Sequence, residues 1–197
     1  MTKSAATISR PLFIPPEPPR TPKSARTRKQ LLAVASELFI ERGYNAVSMQ
    51  DIASAANLTK GAVYGHFRSK GQLLVEAIRG RIADLDGSEQ AREAIAGPGR
   101  GIELMYDESG RDLRALEADA AVASRHDPDV AAGLRELYRE RHEHIRDAAV
   151  GTADPDITAW VIEAITAGVA MKEITGLPMP DPDRLRAGLA AVFEGLS

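Results

Sequence analysis

The sequence predicts an all-α chain of two domains, and three observations support that class. In several segments apolar residues recur every three to four positions, which is the period of a helix with one buried face. Ser, Thr or Asp residues precede these segments, as helix N-caps do. The charge divides unevenly, because residues 1–86 carry 13 Lys/Arg and 7 Asp/Glu whereas residues 87–197 carry 12 and 21. This division indicates that only the first part meets a polyanion, unless it is an accident of composition.

Residues 1–22 are predicted to be a disordered, Pro-rich basic arm. Five prolines within residues 1–20 exclude a helix there and favour an extended backbone. They are Pro11, Pro15, Pro16, Pro18 and Pro19. A basic run then leads into the first helix, and it is either a solvated tail or an arm that contacts phosphates or a minor groove. The run consists of Lys23, Arg26, Arg28 and Lys29.

Residues 23–70 are predicted to form a three-helix domain that contains a helix-turn-helix. The first helix spans 22–42, and Gly43 ends it as a left-handed C-cap. At the start of the second helix, Ser48 and Asp51 have the spacing of a capping box. Two short helices joined by a tight turn are what a helix-turn-helix requires, although many small helical proteins show this pattern without binding DNA.

The turn and the third helix follow directly. Asn57 tolerates the positive φ of a tight turn. Thr59 caps a third helix that spans 60 to about 67, and Ser69 caps a fourth. Residues 71–87 of this fourth helix are predicted to connect the two domains.

Residues 59–70, with the sequence TKGAVYGHFRSK, resemble the signature of the tetracycline-repressor (TetR) family. Matching residues stand upstream at 43–44 and 48–53, and the resemblance covers about residues 25–85. It implies a transcriptional regulator, most simply a repressor, that binds a near-palindromic double-stranded DNA operator as a homodimer. It also implies that a small-molecule effector, whose identity the sequence leaves unknown, releases the DNA.

The residues of the third helix suit this role. Its free N-terminal N–H groups, next to Lys60, can meet a phosphate or a base edge. Gly61 costs about 1 kcal/mol relative to alanine in a helix, and it permits close backbone approach. Ala62 can pack on a thymine methyl group. The resemblance adds further phosphate contacts, and the complete predicted DNA-binding set is Ser48, Thr59, Lys60, Gly61, Ala62, Tyr64, His66 and Lys70.

Several of these residues also have a simpler interpretation. Ser48 and Thr59 are plausible as helix caps alone, and His66 as an ordinary exposed histidine. The sequence departs from the family pattern at Gly65, where an aromatic residue is common. A short helix with glycine at both 61 and 65 is expected to be frayed when free and ordered on DNA.

Residues 88–197 are predicted to form a helical-bundle domain for effector binding and dimerisation. Three Asp-Pro pairs each place an N-cap before a proline at the first helical position. The helices that they open span about 128–149, 155–175 and 182–196, and two less distinct helices precede them near 88–107 and 111–125. The segment Gly97–Gly99 is expected to bend the first of these.

The helix at 155–175 is apolar almost all round, so both of its sides must be covered. A second subunit would cover one side, and the last two helices of two subunits would then form a four-helix bundle. The predicted dimer interface is Ile157, Val161, Ile165, Gly168, Leu185, Leu189, Val192 and Phe193. The alternative is the central core helix of a monomer.

The effector pocket is predicted by analogy with the family, and each of its candidate residues is otherwise an ordinary core residue. The candidates are Met105, Tyr106, Leu116, Ala120, Tyr138, Trp160 and Ala164. A ligand held there would tilt the fourth helix and change the spacing of the two DNA-reading helices of the dimer. It can do so only to the extent that it binds the DNA-free state more tightly than the DNA-binding state.

Other function classes find little support. The chain has no cysteine, no phosphate-binding loop and no nucleophile motif. His142 and His144 would point about 200° apart on a helix. We therefore predict no enzyme activity, no catalytic residue, no cofactor and no metal site. The alternatives left open are a metal-sensing repressor, an architectural DNA-binding protein without effector, and an activator. No apolar run approaches the roughly 18 residues of a membrane span, so a cytoplasmic protein without membrane association is expected.

Overall fold

The computed structural model describes residues 21–86, 106–149 and 152–194, and within these ranges it contains eight α-helices and no strand. The helices are α1 Pro22–Arg42, α2 Met49–Ala55, α3 Lys60–Tyr64, α4 Lys70–Asp86, α5 Glu108–Ala123, α6 Pro128–Ala148, α7 Pro155–Ile174 and α8 Pro182–Glu194. The predicted all-α class is confirmed. The arm up to residue 20, most of the helix expected near 88–107 and the bend at Gly97–Gly99 lie outside the described residues.

Local hydrogen bonds set the starts of α2 and α3. The Ser48 hydroxyl oxygen accepts from the amide of Asp51 at 3.1 Å, and the amide of Ser48 donates to the Asp51 carboxylate at 2.8 Å. The predicted capping box is therefore present. Thr59 caps α3 by accepting from the amide of Ala62 at 3.1 Å. Asn57, between the two helices, has a positive φ of 55°, as the turn requires.

Aspartates set the starts of α6, α7 and α8. Each of them accepts from two main-chain amides of the first helical turn at 3.0–3.2 Å, and a proline follows each one. They are Asp127, Asp154 and Asp181, as predicted. α5 instead begins at Glu108, three residues before the expected start. Asp107 precedes it without a side-chain capping bond, so this helix lacks the local signal that marks the others.

One apolar core runs through α1–α4 and continues into α5 and α6. α4 lies in the middle of it and packs against α1, α5 and α6, and α1 also contacts α5. The largest fully buried side chains are Phe39, Phe67, Leu31, Ile52, Leu73, Leu74, Ile78, Leu116, Val47, Val63 and Val130. The helix predicted to connect two domains is therefore a core element of both, and the helix-turn-helix is fixed to the second half of the chain.

Two glycines allow α4 and α6 to pack closely. A Cβ atom on Gly133 would lie 2.7 Å from Cγ2 of Val75, and one on Gly71 would lie 2.8 Å from Oδ1 of Asp127. Both distances are shorter than van der Waals contact, so a larger residue at either position would force neighbouring atoms to move. The two helices consequently have little freedom to shift against each other.

α7 packs on α5 and α6 along one side and exposes the other. The buried side includes Thr158, Ala159 and Val169. The exposed side, which we call the outward face of α7, consists of Ile157, Trp160, Ala164, Gly168, Met171 and Ile174. α8 packs only lightly on the rest of the described chain. No described helix is both long enough and apolar enough to cross a bilayer.

Candidate nucleic-acid interface

α2 and α3 form a compact helix-turn-helix with one side in the core and one side in solvent. Met49, Ile52 and Ala53 of α2 are buried, and Val63 anchors α3 from below. The turn is closed by a hydrogen bond of 2.8 Å from the amide of Leu58 to the carbonyl of Ala53. α3 is therefore held by its buried side while its opposite side remains available.

The available side of α3 carries residues of the predicted DNA-binding set. Lys60, Gly61 and Tyr64 are exposed, and Tyr64 keeps 47% of its surface accessible. The Nζ atom of Lys60 lies 5.9 Å from the centre of the Tyr64 ring. Ala62 and His66 are half-buried at the edge of this surface. The structure thus groups one basic, one aromatic and one small residue on a short helix that points into solvent.

Ser48 and Thr59 lie exposed at the starts of α2 and α3, where both cap their helices. The Ser48 hydroxyl and amide donate to Asp51, and these bonds lower the pKa of the Asp51 carboxyl. Both residues therefore cap their helices, as predicted. A phosphate contact by either stays a prediction.

Lys70 has internal partners that the sequence did not indicate. Its ammonium group donates to the carbonyls of Tyr44 and Val47, each at 2.8 Å, and lies 4.1 Å from the Tyr44 ring centre. Burial lowers its pKa, an effect that the charge of Asp127 opposes. Two of its three N–H donors are taken within the protein, and the predicted phosphate contact remains only for the third.

The basic run at the start of α1 divides into two groups. Lys23, Arg26 and Lys29 are exposed. Arg28 instead lies inside, with its guanidinium 4.5 Å from the centre of the Phe67 ring and 3.3 Å from the carboxylate of Glu76. Arg28 therefore braces the end of the helix-turn-helix against α4, and it is not part of a mobile basic arm.

The contacts that join the helix-turn-helix to the second half of the chain were not predicted from the sequence. The amide of Tyr44 donates to Asp119 at 2.7 Å, and its hydroxyl donates to Asp127, also at 2.7 Å. The sequence predicted an N-cap at the start of α6 and indicated no partner for Tyr44 in the second half of the chain. A local pattern gives no signal for these pairs, because their members are 75 and 83 residues apart.

The predicted dimer residues occupy α7 and α8. Ile157 and Gly168 are exposed on the outward face of α7, and Val161 and Ile165 flank it, half-buried. On α8, Leu185 and Leu189 are half-buried, and the side chains of Val192 and Phe193 lie outside the described part.

The predicted effector-binding residues do not share one location. Leu116 and Ala120 belong to the common core. Trp160 is 63% exposed and Ala164 is exposed, both on the outward face of α7. Their placement in an interior pocket is therefore corrected, because they face away from the core. Tyr106 is half-buried, and its hydroxyl donates to the carbonyl of Pro180. Tyr138 is 37% exposed, and Met105 lies outside the described residues.

The histidines do not assemble a metal site. His142 lies between two carboxylates, with Nδ1 3.2 Å from Glu163 and Nε2 3.5 Å from Asp156. The carboxylates meet opposite edges of the ring and do not converge with it on a point. His144 is exposed. Within the described ranges, no group of three His, Asp or Glu side chains has an arrangement suited to a metal ion.

Comparison with known proteins agrees with this geometry. Residues 31–77 match the family model described as bacterial regulatory proteins, tetR family. The chain is 34% identical over 131 residues to the HTH-type transcriptional repressor KstR2 of Rhodococcus jostii (strain RHA1), which covers 66% of this chain and 57% of the relative. It is 41% identical over 99 residues to the HTH-type transcriptional activator FasR of Mycolicibacterium smegmatis. This match covers 50% of this chain and 41% of the relative. The chain thus spans less than two thirds of the length of either relative.

A solved structure shares the fold over most of the chain. It is a Saccharomonospora viridis protein described as a transcriptional regulator in complex with choline, which superimposes with a TM-score of 0.63 over 86% of this chain and 96% of its own, at 24% identity. This likeness shows a common fold. Together with the matched helix-turn-helix and the sequence relatives, it leads to one assignment. The helix-turn-helix part of the chain, residues 31–77, belongs to the TetR family of bacterial regulatory proteins.

Proposed function

We propose that the protein is a transcriptional repressor that binds a near-palindromic operator as a homodimer and leaves it when a small molecule binds. The observation that carries this proposal is the exposed side of α3, where Lys60, Gly61 and Tyr64 face solvent while Val63 fixes the helix to the core. A short helix held in this way suits a major groove of DNA, which admits one helix.

The exposed residues divide between two tasks. Lys60, Gly61 and Ala62 stand at the N-terminal end of α3, the end that approaches base edges in helix-turn-helix proteins. Contacts to phosphates are assigned to Tyr64, His66 and Ser48. The third N–H of Lys70 is assigned to a phosphate as well. Phosphate contacts set the register of the protein on the duplex, and base contacts supply its sequence preference.

Homodimerisation is proposed from the outward face of α7. Four large apolar side chains there are 50–63% exposed in a single chain, which is a contiguous surface of the kind that marks an interface. They are Ile157, Trp160, Met171 and Ile174. A two-fold pairing through this face and α8 would place two copies of α3 on one duplex, and two successive major grooves lie about 34–36 Å apart.

The effector is proposed to bind in the second domain, residues 88–197. The S. viridis protein of the same fold binds choline, which supports a small-molecule site in this chain without identifying its ligand. Leu116, Ala120 and Tyr138 remain the candidates on α5 and α6. Because α4 packs closely on α6, a change in α6 on ligand binding would be transmitted through α4 to the helix-turn-helix.

The test of DNA binding starts with a random duplex pool, from which the wild-type protein selects its preferred sequence. We expect a near-palindrome. Tyr64→Phe removes one hydroxyl donor and should weaken binding about three- to tenfold on the selected duplex and on unrelated duplexes alike. Binding is measured by fluorescence anisotropy at fixed salt, because phosphate contacts depend on ionic strength.

Two results would contradict the assignment. A changed base preference in Tyr64→Phe would move Tyr64 from phosphate contact to base reading. A wild-type protein that selects no duplex would reject DNA binding altogether. Lys60→Ala is the matched variant at the base-reading end, and it should alter the selected sequence itself.

Activation of transcription is the second candidate, because one of the two sequence relatives is described as an activator. Transcription from a promoter that carries the selected duplex distinguishes the two. A repressor lowers transcript yield when it is added, and an activator raises it. An architectural protein without effector would keep its DNA in the presence of every metabolite of a broad panel.

A further inference from the structure

Asp127 uses its two carboxylate oxygens for two different domains. Oδ1 accepts from the amides of Asp129 and Val130 at 3.0 and 3.2 Å, which caps α6. Oδ2 accepts from the Tyr44 hydroxyl at 2.7 Å. Only the first task belongs to helix capping. The second binds the loop between α1 and α2, at the base of the helix-turn-helix.

Asp119 holds the same loop from α5. Its Oδ2 atom accepts from the main-chain amide of Tyr44 at 2.7 Å. Tyr44 is 5% exposed, and burial together with the hydrogen bond to Asp127 raises the pKa of its phenol. The hydroxyl therefore remains a proton donor at physiological pH. Two aspartates of the second half thus bind the main chain and the side chain of one tyrosine.

Lys70 closes this arrangement from the other side. It donates to the carbonyls of Tyr44 and Val47, and the residue after Val47 is Ser48, the cap of α2. The loop is consequently fixed at both ends just before the helix-turn-helix begins. At the adjacent Gly71, no Cβ atom fits beside Asp127, so the starts of α4 and α6 are in contact.

We propose that Asp127 and Asp119 are positioning residues for operator binding, which orient the helix-turn-helix on the second domain through Tyr44. The inference rests on the proposed function and adds a route for its regulation. Binding of a two-half-site operator by a dimer depends on the spacing of its two reading helices. A shift of α6 relative to α5 changes the direction of both hydrogen bonds to Tyr44, and thereby the angle at which α3 is presented.

The charge of the aspartates alone would change DNA affinity in the opposite direction to a positioning role. Removal of an aspartate close to a DNA-binding surface lowers its repulsion of phosphate and should tighten binding to every duplex. A positioning role instead predicts weaker binding, confined to duplexes that both subunits must read together. The direction of the change therefore separates the two effects.

The experiment compares Tyr44→Phe and Asp127→Ser with the wild-type protein. Tyr44→Phe keeps the ring that packs on Phe39 and Lys70 and removes only the hydroxyl. Serine caps helices about as well as aspartate, so Asp127→Ser retains the α6 cap and loses the second oxygen. Asp154→Ser is the matched control, because Asp154 caps α7 with the same geometry and bonds only within that helix start.

Two duplexes provide the readout, namely the sequence selected by the wild type and a truncated form with one half-site. Both test variants should bind the full duplex about three- to tenfold more weakly than the wild type, as expected for one lost hydrogen bond. On the single half-site they should match it within twofold. They should also tolerate one inserted base pair between half-sites better than the wild type does. Asp154→Ser should resemble the wild type throughout.

Two results would overturn the inference. An equal loss on both duplexes would show general damage to the domain, and unchanged or tighter binding to the full duplex would show that the bonds do not orient it. Asp127→Ser also affects folding, so its melting temperature is measured alongside. If Asp127→Ser unfolds, the inference is decided by Tyr44→Phe alone. A wild type that selects no duplex would reject the proposed function itself, which is a different outcome from a wild type that binds and variants that do not differ.

Discussion

Lys70 stabilises the loop before α2 by a contact that does not depend on DNA. Its two hydrogen bonds satisfy the carbonyls of Tyr44 and Val47 in a half-buried environment. Lys70→Met keeps most of the side-chain volume and leaves both carbonyls without this donor. We expect the free energy of unfolding to fall by about 1–3 kcal/mol, measured by urea denaturation. Lys60→Met, at an exposed position, should change it by no more than about 0.5 kcal/mol.

His142 gives the contact between α6 and α7 a pH dependence. Its hydrogen bond to Glu163, and more weakly the one to Asp156, raises its pKa above the ordinary 6.5. A raised pKa means that the folded state favours the protonated ring, so its stabilisation is complete below pH 6.5 and is lost as the pH rises through the higher folded value. The urea midpoint should therefore drop between pH 6 and pH 8.5, and His142→Gln should reduce that drop. An identical drop in this variant would assign the pH dependence to other groups.

At this scale, distance along the chain decides what the sequence predicts. The roles of Ser48, Thr59 and Asn57 depend on neighbours within three residues, and all three were anticipated as caps or a turn. The hydrogen-bond partners of Tyr44 and Lys70 were not predicted, since they lie 23 to 83 residues away along the chain. An isolated sequence offers no periodicity that would connect an N-cap such as Asp127 to a tyrosine 83 residues earlier.

The element that reads DNA in this proposal is also the shortest helix of the described chain. α3 has five residues and contains Gly61, where an added Cβ would come no closer than 3.9 Å to the nearest side chain. Gly61→Ala should therefore stabilise the fold, by up to about 1 kcal/mol. It should weaken operator binding at the same time, because the new methyl group stands on the side that approaches the bases.

A matched variant isolates the second effect. Gly80→Ala lies within α4, where no atom is within 4 Å of the added Cβ. It should give a similar gain in stability by thermal denaturation and leave DNA affinity unchanged. If Gly61→Ala binds the selected duplex as tightly as Gly80→Ala does, close approach at residue 61 is excluded.

Helix boundaries followed from the sequence wherever capping chemistry was present. The starts of α2, α3 and α6–α8 fall where Ser, Thr and Asp caps predicted them. α3 was expected to reach about residue 67 and ends at Tyr64. The amides of Gly65 and Phe67 still bond to the carbonyls four residues before them, so a helical turn continues beyond the last residue of α3.

For the whole molecule, the outward face of α7 leads to a prediction about assembly. Met171→Glu places a charge on the outward face of α7 and should convert the proposed dimer into a monomer, as measured by analytical ultracentrifugation. Val122→Glu is the control, because Val122 is equally exposed, at 62%, on α5. A monomeric wild type, or a dimer that survives Met171→Glu, would contradict the proposed interface.

The sequence predicted the apolar character of α7 but not which side would be exposed. Trp160 and Ala164 were expected inside a pocket, although they lie on the same side as Ile157 and Gly168. A helix that is apolar all round has no amphipathic signal to orient it. Only the packing of α5 and α6 against Thr158, Ala159 and Val169 decides the matter.

The separation of buried and exposed positions on α3 has a practical consequence for engineering. Lys60, Gly61 and Tyr64 contribute nothing to the interior, while Val63 alone secures the segment from beneath. A combinatorial library at the three outer positions would thus leave the scaffold intact. Under the proposed function, variants from such a library should select new duplexes while the rest of the molecule stays unchanged.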